Sequence, residues 1–205
     1  MTVNSMIVCG WYTPDYKHWT ERLIASIDRV GHKHDFVMVD KAPGGWEANT
    51  LRKADQILAA MDRHPGRAIV FLDVDCEVRA PLHDLADIRA DFAVHMMRSV
   101  KRNFKVLSGT LVFQPTQKAR ELAENWQSVG RTAPLGTVDQ ITLIKAMAIT
   151  PSLTVMNLPE TYCAISPDGD PAILHDHAAA AQPRVPRWRK RFHALRSRLV
   201  VEVSA

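Results

Sequence analysis

The sequence predicts an α/β domain built on a mixed, mostly parallel central sheet flanked by helices. Three observations carry that expectation. Segments of strand and helix character alternate as strand, helix, strand, helix, strand over the first 72 residues. The last of them, Ala68-Ile-Val-Phe-Leu72, is an unbroken apolar run of the kind buried on both faces of a parallel sheet. The 205 residues are 46% hydrophobic and 23% charged, enough to bury a core without disulfides or a structural metal.

Each element has its own signal. Ser5-Met-Ile-Val-Cys9 is a short strand ending at Gly10. Thr13-Pro14, a capping residue followed by proline, opens a helix on which Tyr16, Trp19, Leu23, Ile27 and Val30 share one face. Phe36–Val39 is a second strand and Pro43-Gly44-Gly45 a loop. Leu51, Ala54, Leu58 and Met61 then mark a second helix that stops at His64-Pro65-Gly66. In the second half, Phe92–Met97 and Leu111–Phe113 read as strands and Thr116–Trp126 as a helix. Thr137-Val-Asp-Gln140 has the pattern of a capping box, and a turn at 167–171 precedes Ala172-Ile-Leu174.

Composition excludes several classes. Charged residues interrupt every apolar run before the roughly 18 residues that a membrane span needs. The N-terminus lacks the pattern of a secretory signal, so a cytoplasmic location is expected. Cys9, Cys76 and Cys163 are far apart and read as small buried hydrophobes rather than a disulfide or zinc framework. The net charge of +4 is uneven: seven basic residues lie in the last 22 positions with one acid, leaving residues 1–183 with 19 bases and 21 acids. The expected division is therefore a catalytic domain over 1–181 and a basic segment over 182–205. In that segment Trp188, Phe192, Leu195 and Leu199 share one helical face. Such a helix either docks on the body or lies on an anionic membrane, which would make the protein peripheral on the inner face. Nucleic acid is not an expected partner, because the body offers no basic face.

Open α/β sheets bind ligands beyond the carboxyl ends of their strands, and Leu72 is followed by Asp73-Val74-Asp75. In an extended chain, residues two apart point the same way, which would put both carboxylates together at the sheet rim. Two like charges so close call for a cation, and a divalent metal is the economical one. Haloacid-dehalogenase-like phosphatases place a DxD after such a strand, with Ser108 available as their second motif. Two strand-helix units precede the motif here, and no acidic pair follows a suitable lysine.

A second resemblance fits better. The order of motifs over residues 3–178 resembles the GT-A nucleotide-sugar glycosyltransferases, especially the family-8-like members. Ile69-Val-Phe-Leu-Asp-Val-Asp-Cys-Glu-Val78 is similar to the family's strand and DxD, and Ser108-Gly-Thr-Leu-Val-Phe-Gln-Pro115 to its strand beside the donor sugar. Asp139-Gln140 resembles its recurrent Asp-Gln pair, and Ile173-Leu-His175 its late strand ending in a metal-binding histidine.

The resemblance implies a GT-A fold and transfer of a sugar from a nucleoside diphosphate, with UDP first among the candidate nucleotides. The acceptor would be a sugar or glycolipid, cell-envelope or lipid-linked. It also implies Mn²⁺ or Mg²⁺ on Asp73, Asp75 and His175, with His177 as the substitute histidine. Trp11, Tyr12 and Thr13 would lie in the loop that holds the nucleoside, Lys53 near the base or diphosphate, and Asp73, Val74, Ser108 and Gly109 along the donor. Asp139 would be a general base in an inverting reaction or an orienting carboxylate in a retaining one, with Gln140 beside it toward the acceptor. A silent binding protein on the same fold is the remaining alternative.

Overall fold

The computed structural model describes residues 5–99 and 102–175. His177 and the basic segment from residue 182 lie outside the described residues. Strand β1 (Met6–Tyr12) leads through a 3₁₀ turn (Pro14–Tyr16) to helix α1 (Lys17–Arg29) and β2 (His34–Met38). Helices α2 (Trp46–Thr50) and α3 (Lys53–Arg63) precede β3 (Ala68–Leu72) and the short β4 (Cys76–Val78). Next come β5 (Phe92–Ser99), β6 (Arg102–Phe113), α4 (Gln117–Arg131), α5 (Asp139–Ile149), β7 (Val155–Asn157) and β8 (Ile173–His175).

The main sheet runs β2-β1-β3-β6-β5-β7. Pairs β1–β2, β1–β3 and β5–β7 are parallel, while β6 runs antiparallel to both β3 and β5. Alternation along β3 sorts the core into two layers. Ile69 and Phe71 join Ile57, Trp126 and Leu143 under α3, α4 and α5. Val70 and Leu72 join Leu23, Ile27 and Leu82 on the α1 side. Every residue of β3 is buried, as its unbroken apolar run requires.

A second sheet, β4 paired antiparallel with β8, sets Cys76 opposite His175. This two-stranded ladder carries the end of the chain's described part back to the turn after β3, which positions the site.

Four local expectations change. Strand β1 does not stop at Gly10, because its pairing with β2 continues through Trp11↔Val37 and Tyr12↔Met38. Gly10 is there for closeness: a Cβ would lie 2.4 Å from the Phe36 ring and 2.8 Å from the Leu72 carbonyl. Thr13 does not cap a helix; its hydroxyl donates to Asp15 (2.6 Å) and Pro14 opens the 3₁₀ turn. Thr137 likewise turns back to the Pro134 carbonyl (2.6 Å), so α5 starts after Val138 without a capping box. Finally, β6 is twelve residues long, because the polar Ser108 and Thr110 face the site and hid the strand's period from an apolar count. Thr116 does cap α4, accepting from the Ala119 amide.

Candidate functional site

The site lies where β3 ends. Asp73 donates its amide to the Gly109 carbonyl (2.9 Å), and the Cys76 amide reaches the Asp73 carbonyl (3.3 Å), closing a turn over Asp73–Cys76. The turn replaces the extended conformation expected for Asp73-Val74-Asp75 and separates the work of the two carboxylates. Asp73 faces the main sheet and α3. Asp75 groups with Cys76 and His175, the ligand atoms of all three lying within 4.8 Å of one another. Val74 between them is buried.

On the α3 side, Lys53 enters the protein from the first turn of the helix and is 3% exposed. Its ammonium lies 2.8 Å from Asp73 Oδ1, 2.7 Å from Asp139 Oδ2 and 3.0 Å from the Ser108 carbonyl. An ammonium has three hydrogens, and here each has an acceptor. The Ser108 hydroxyl donates to the same Asp139 oxygen (2.7 Å). Burial works against charge on Lys53, but Asp139 and then Asp73 outweigh it and hold its pKa above the ordinary value. Burial pushes the Asp73 carboxyl upward, Lys53 pulls it down, and Asp139 adds to the upward push. Asp139 opens α5, with its amide 3.4 Å from the Thr50 hydroxyl; Gln140 follows it, half-buried.

On the other side, the state of His175 follows from its neighbours. The Thr110 hydroxyl donates to the Tyr162 carbonyl (2.7 Å), so toward His175 it has only lone pairs to offer. The contact of 2.9 Å between Thr110 Oγ1 and His175 Nε2 therefore has the imidazole as donor. Nδ1 is left as the acceptor, 3.2 Å from Cys76 Sγ. Burial depresses the His175 pKa to about 4, and the charge of Lys53 acts the same way. Burial, then Asp75 and Asp73, raise the Cys76 thiol well above its usual value, so it is the S–H that faces Nδ1. A neutral imidazole with a lone pair beside a carboxylate is a ligand set for a divalent ion that accepts nitrogen as well as oxygen.

Gly109 separates the two halves. A Cβ there would lie 2.5 Å from His175 Cε1, 2.7 Å from Nδ1 and 3.6 Å from Asp73 Oδ2, so a side chain would fill the space that the imidazole and carboxylate share. Sequence reasoning missed Thr110 and Cys76. Thr110 was findable, since it follows Ser108 by two on one strand and must face the same side.

The nucleoside-side candidates are more dispersed. Trp11 and Tyr12 close β1 and are half-buried, Trp11 against the α3 side of the core, with the Arg52 guanidinium 6.0 Å from its ring. Thr13 is buried and engaged with Asp15. Arg52 itself donates to the Asp40 carbonyl (2.5 Å).

The sequence matches no family profile, and no curated protein matches it. Solved structures do. One is a glycosyltransferase involved in the glycosylation of the major capsid of PBCV-1, with a TM-score of 0.68 at 14% identity over 92% of this chain and 98% of that one. The chain has a glycosyltransferase fold of the GT-A type. The glycosyltransferase GlyE of Streptococcus pneumoniae TIGR4 is also similar (TM-score 0.59, 13% identity, 83% of this chain), although this chain spans only 55% of its length. A galactosyltransferase, LgtC, whose structure holds donor and acceptor sugar analogs, aligns with a TM-score of 0.54 at 12% identity over 83% of this chain and 86% of its own. In the GT-A framework the described site occupies the carboxyl edge of β3, where open α/β sheets bind ligands.

Proposed function

We propose that the chain is a metal-dependent glycosyltransferase that takes a sugar from a nucleoside-diphosphate sugar, UDP being the first nucleotide to test. The observation that supports this most is the Asp73–Lys53–Asp139 cluster, its Lys53 and Asp139 buried, set beside the Asp75–His175 pair at the end of β3. Buried charge so arranged is costly unless it has a task, and the fold binds ligands at this edge. The Asp75–His175 pair, with Asp73 Oδ2 facing it across Gly109, fits Mn²⁺ better than Mg²⁺, because imidazole is a good ligand only for the former. A bound ion there would stabilise the charge of the departing diphosphate as a Lewis acid.

The chain's own residues would do the rest. Lys53 fixes the orientations of Asp73 and Asp139 from beneath the site. Asp139 Oδ2 is already taken by Lys53 and Ser108, which leaves Oδ1 to accept from a hydroxyl of the donor sugar or the acceptor. That arrangement favours an orienting carboxylate over a general base. Gly109 leaves the His175 imidazole room beside Asp73 Oδ2. The acceptor we propose is a sugar on a cell-envelope or lipid carrier, with the basic stretch at 184–199 as the contact to an anionic surface.

The test is release of nucleoside diphosphate from a panel of nucleotide sugars with Mn²⁺. Asp139→Asn is expected to lower turnover by about 100-fold with donor affinity changed much less, since it loosens positioning. Unchanged turnover in that variant would remove Asp139 from the reaction. A phosphatase would instead hydrolyse phosphate monoesters through a phosphorylated Asp73 and ignore the sugar donor.

A further inference from the structure

A second set of metal-type side chains lies at the far end of α3, away from the donor site. Cys9 on β1 and Asp35 on β2 are register partners in the parallel ladder, so their side chains lie side by side on one face of the sheet. His64, the residue that ends α3, reaches over them. The Cys9 sulfur, an Asp35 oxygen and a His64 ring nitrogen all lie within 4.8 Å of one another. Lys53 and His64 are eleven residues apart on one helix, which separates the two clusters by about 16 Å.

We propose that Cys9, Asp35 and His64 form a site for a thiophilic divalent cation of the Zn²⁺ kind. Four observations carry this. The donors come from three different elements, two of them locked in register, so the cluster is set by the fold. His64 Nε2 and Arg63 Nε both contact Asp35 Oδ2 (2.8 Å each), which leaves Oδ1 without a partner among the described residues. Cys9 Sγ has none among them either. An open cavity of about 700 Å³, lined by His64, Arg63, Ile7 and His34 among others, adjoins the triad at His64, while Cys9 and Asp35 lie off its lining. His64 also follows the last turn of α3, and the C-terminal end of a helix dipole favours a cation.

Sulfur, nitrogen and oxygen donors in one triad select a borderline ion over Mg²⁺ or Ca²⁺. Burial, with Asp35 adding and Arg63 opposing, pushes the Cys9 thiol up to about 12, so the free protein holds it as S–H. On binding, the S–H bond breaks, the sulfur donates an electron pair to the ion, and the proton passes to water. Arg63, 40% exposed, competes with the ion for Asp35 and would swing into the cavity.

The experiment is a Co²⁺ titration of the full metal-free chain carrying Cys76→Ala, which removes the thiol at the donor site. A thiolate-to-cobalt charge-transfer band is expected at one equivalent, reversed by Zn²⁺. Cys9→Ala should abolish the band, His64→Ala should weaken binding roughly tenfold or more, and Arg63→Ala should tighten it by removing the competitor. Absence of the band in the Cys76→Ala chain, or its survival in Cys9→Ala, would overturn the proposal. If Cys9→Ala does not fold, His64→Ala decides, and an unchanged affinity in that variant overturns it. None of these outcomes depends on sugar transfer.

Discussion

Lys53 is the residue on which the site turns. Its ammonium has three acceptors, all supplied by groups at the proposed donor edge. Replacing it by methionine preserves most of the volume but leaves Asp73 and Asp139 facing each other without a cation. Breaking a buried pair on one side is the costly way to break it, so Lys53→Met is expected to destabilise the fold by about 3 kcal/mol, seen as a lower denaturant midpoint with an unchanged slope. Lys53→Met with Asp139→Asn should recover part of that loss, because the remaining like-charge repulsion is then gone. His175 gives a prediction in pH. Its folded pKa of about 4 lies below the ordinary 6.5, so the unfolded chain binds the proton first as pH falls. The metal-free protein should therefore be fully stabilised by the neutral imidazole above pH 6.5 and lose up to about 3 kcal/mol between pH 6.5 and 4. Comparing unfolding of the wild type and His175→Gln across that window checks it, since the glutamine variant should show a flatter slope.

At the scale of elements, the site is assembled by two hydrogen-bonded ladders. The β3–β6 pair places Leu72 beside Thr110, which sets Gly109 next to Asp73, and the β4–β8 pair brings His175 to Cys76. Gly109 is where the two meet. Gly109→Ala should leave the sheet intact, push the imidazole aside and weaken Mn²⁺-dependent nucleotide binding by more than about tenfold, at a stability cost of about 1–3 kcal/mol. Binding measured by calorimetry with and without Mn²⁺ separates the two effects. The elements also show what sequence can and cannot reveal. Strand β3 was legible to the residue, because a strand buried on both faces has no competing pattern. The start of β6 was not, since its site-facing residues are polar and an apolar period cannot register them. Helix α2 was missed because Trp46–Thr50 is too short for a helical repeat. Gly10 looked like a strand terminator and Thr13 like a helix cap from local chemistry alone, whereas pairing with β2 carries β1 past Gly10 and Asp15 takes the Thr13 hydroxyl.

For the whole molecule, the candidate site was legible as a list of residues but not as a set of contacts. Asp73 and Asp75, Ser108 and Gly109, Asp139, and His175 come from four separate stretches of the sequence, and the fold draws them to one edge. Their division into a lysine-held half and a histidine half depends on the turn at Asp73–Cys76, which spacing does not encode. The same topology puts α3 between two polar clusters, one at Lys53 and one at His64. No described helix is long and apolar enough to cross a membrane.

The most direct test of the proposed donor site is thermal stabilisation of the purified protein by nucleoside diphosphates and nucleotide sugars, each with and without Mn²⁺. A ligand at about 100 times its Kd adds about 2.7 kcal/mol, a shift in Tm of several degrees. One nucleotide class is expected to give that shift only with Mn²⁺, and Asp75→Ala is expected to abolish it. A well-folded protein that no nucleotide stabilises, with or without the metal, would contradict the account and leave a GT-A fold without a nucleotide-sugar site.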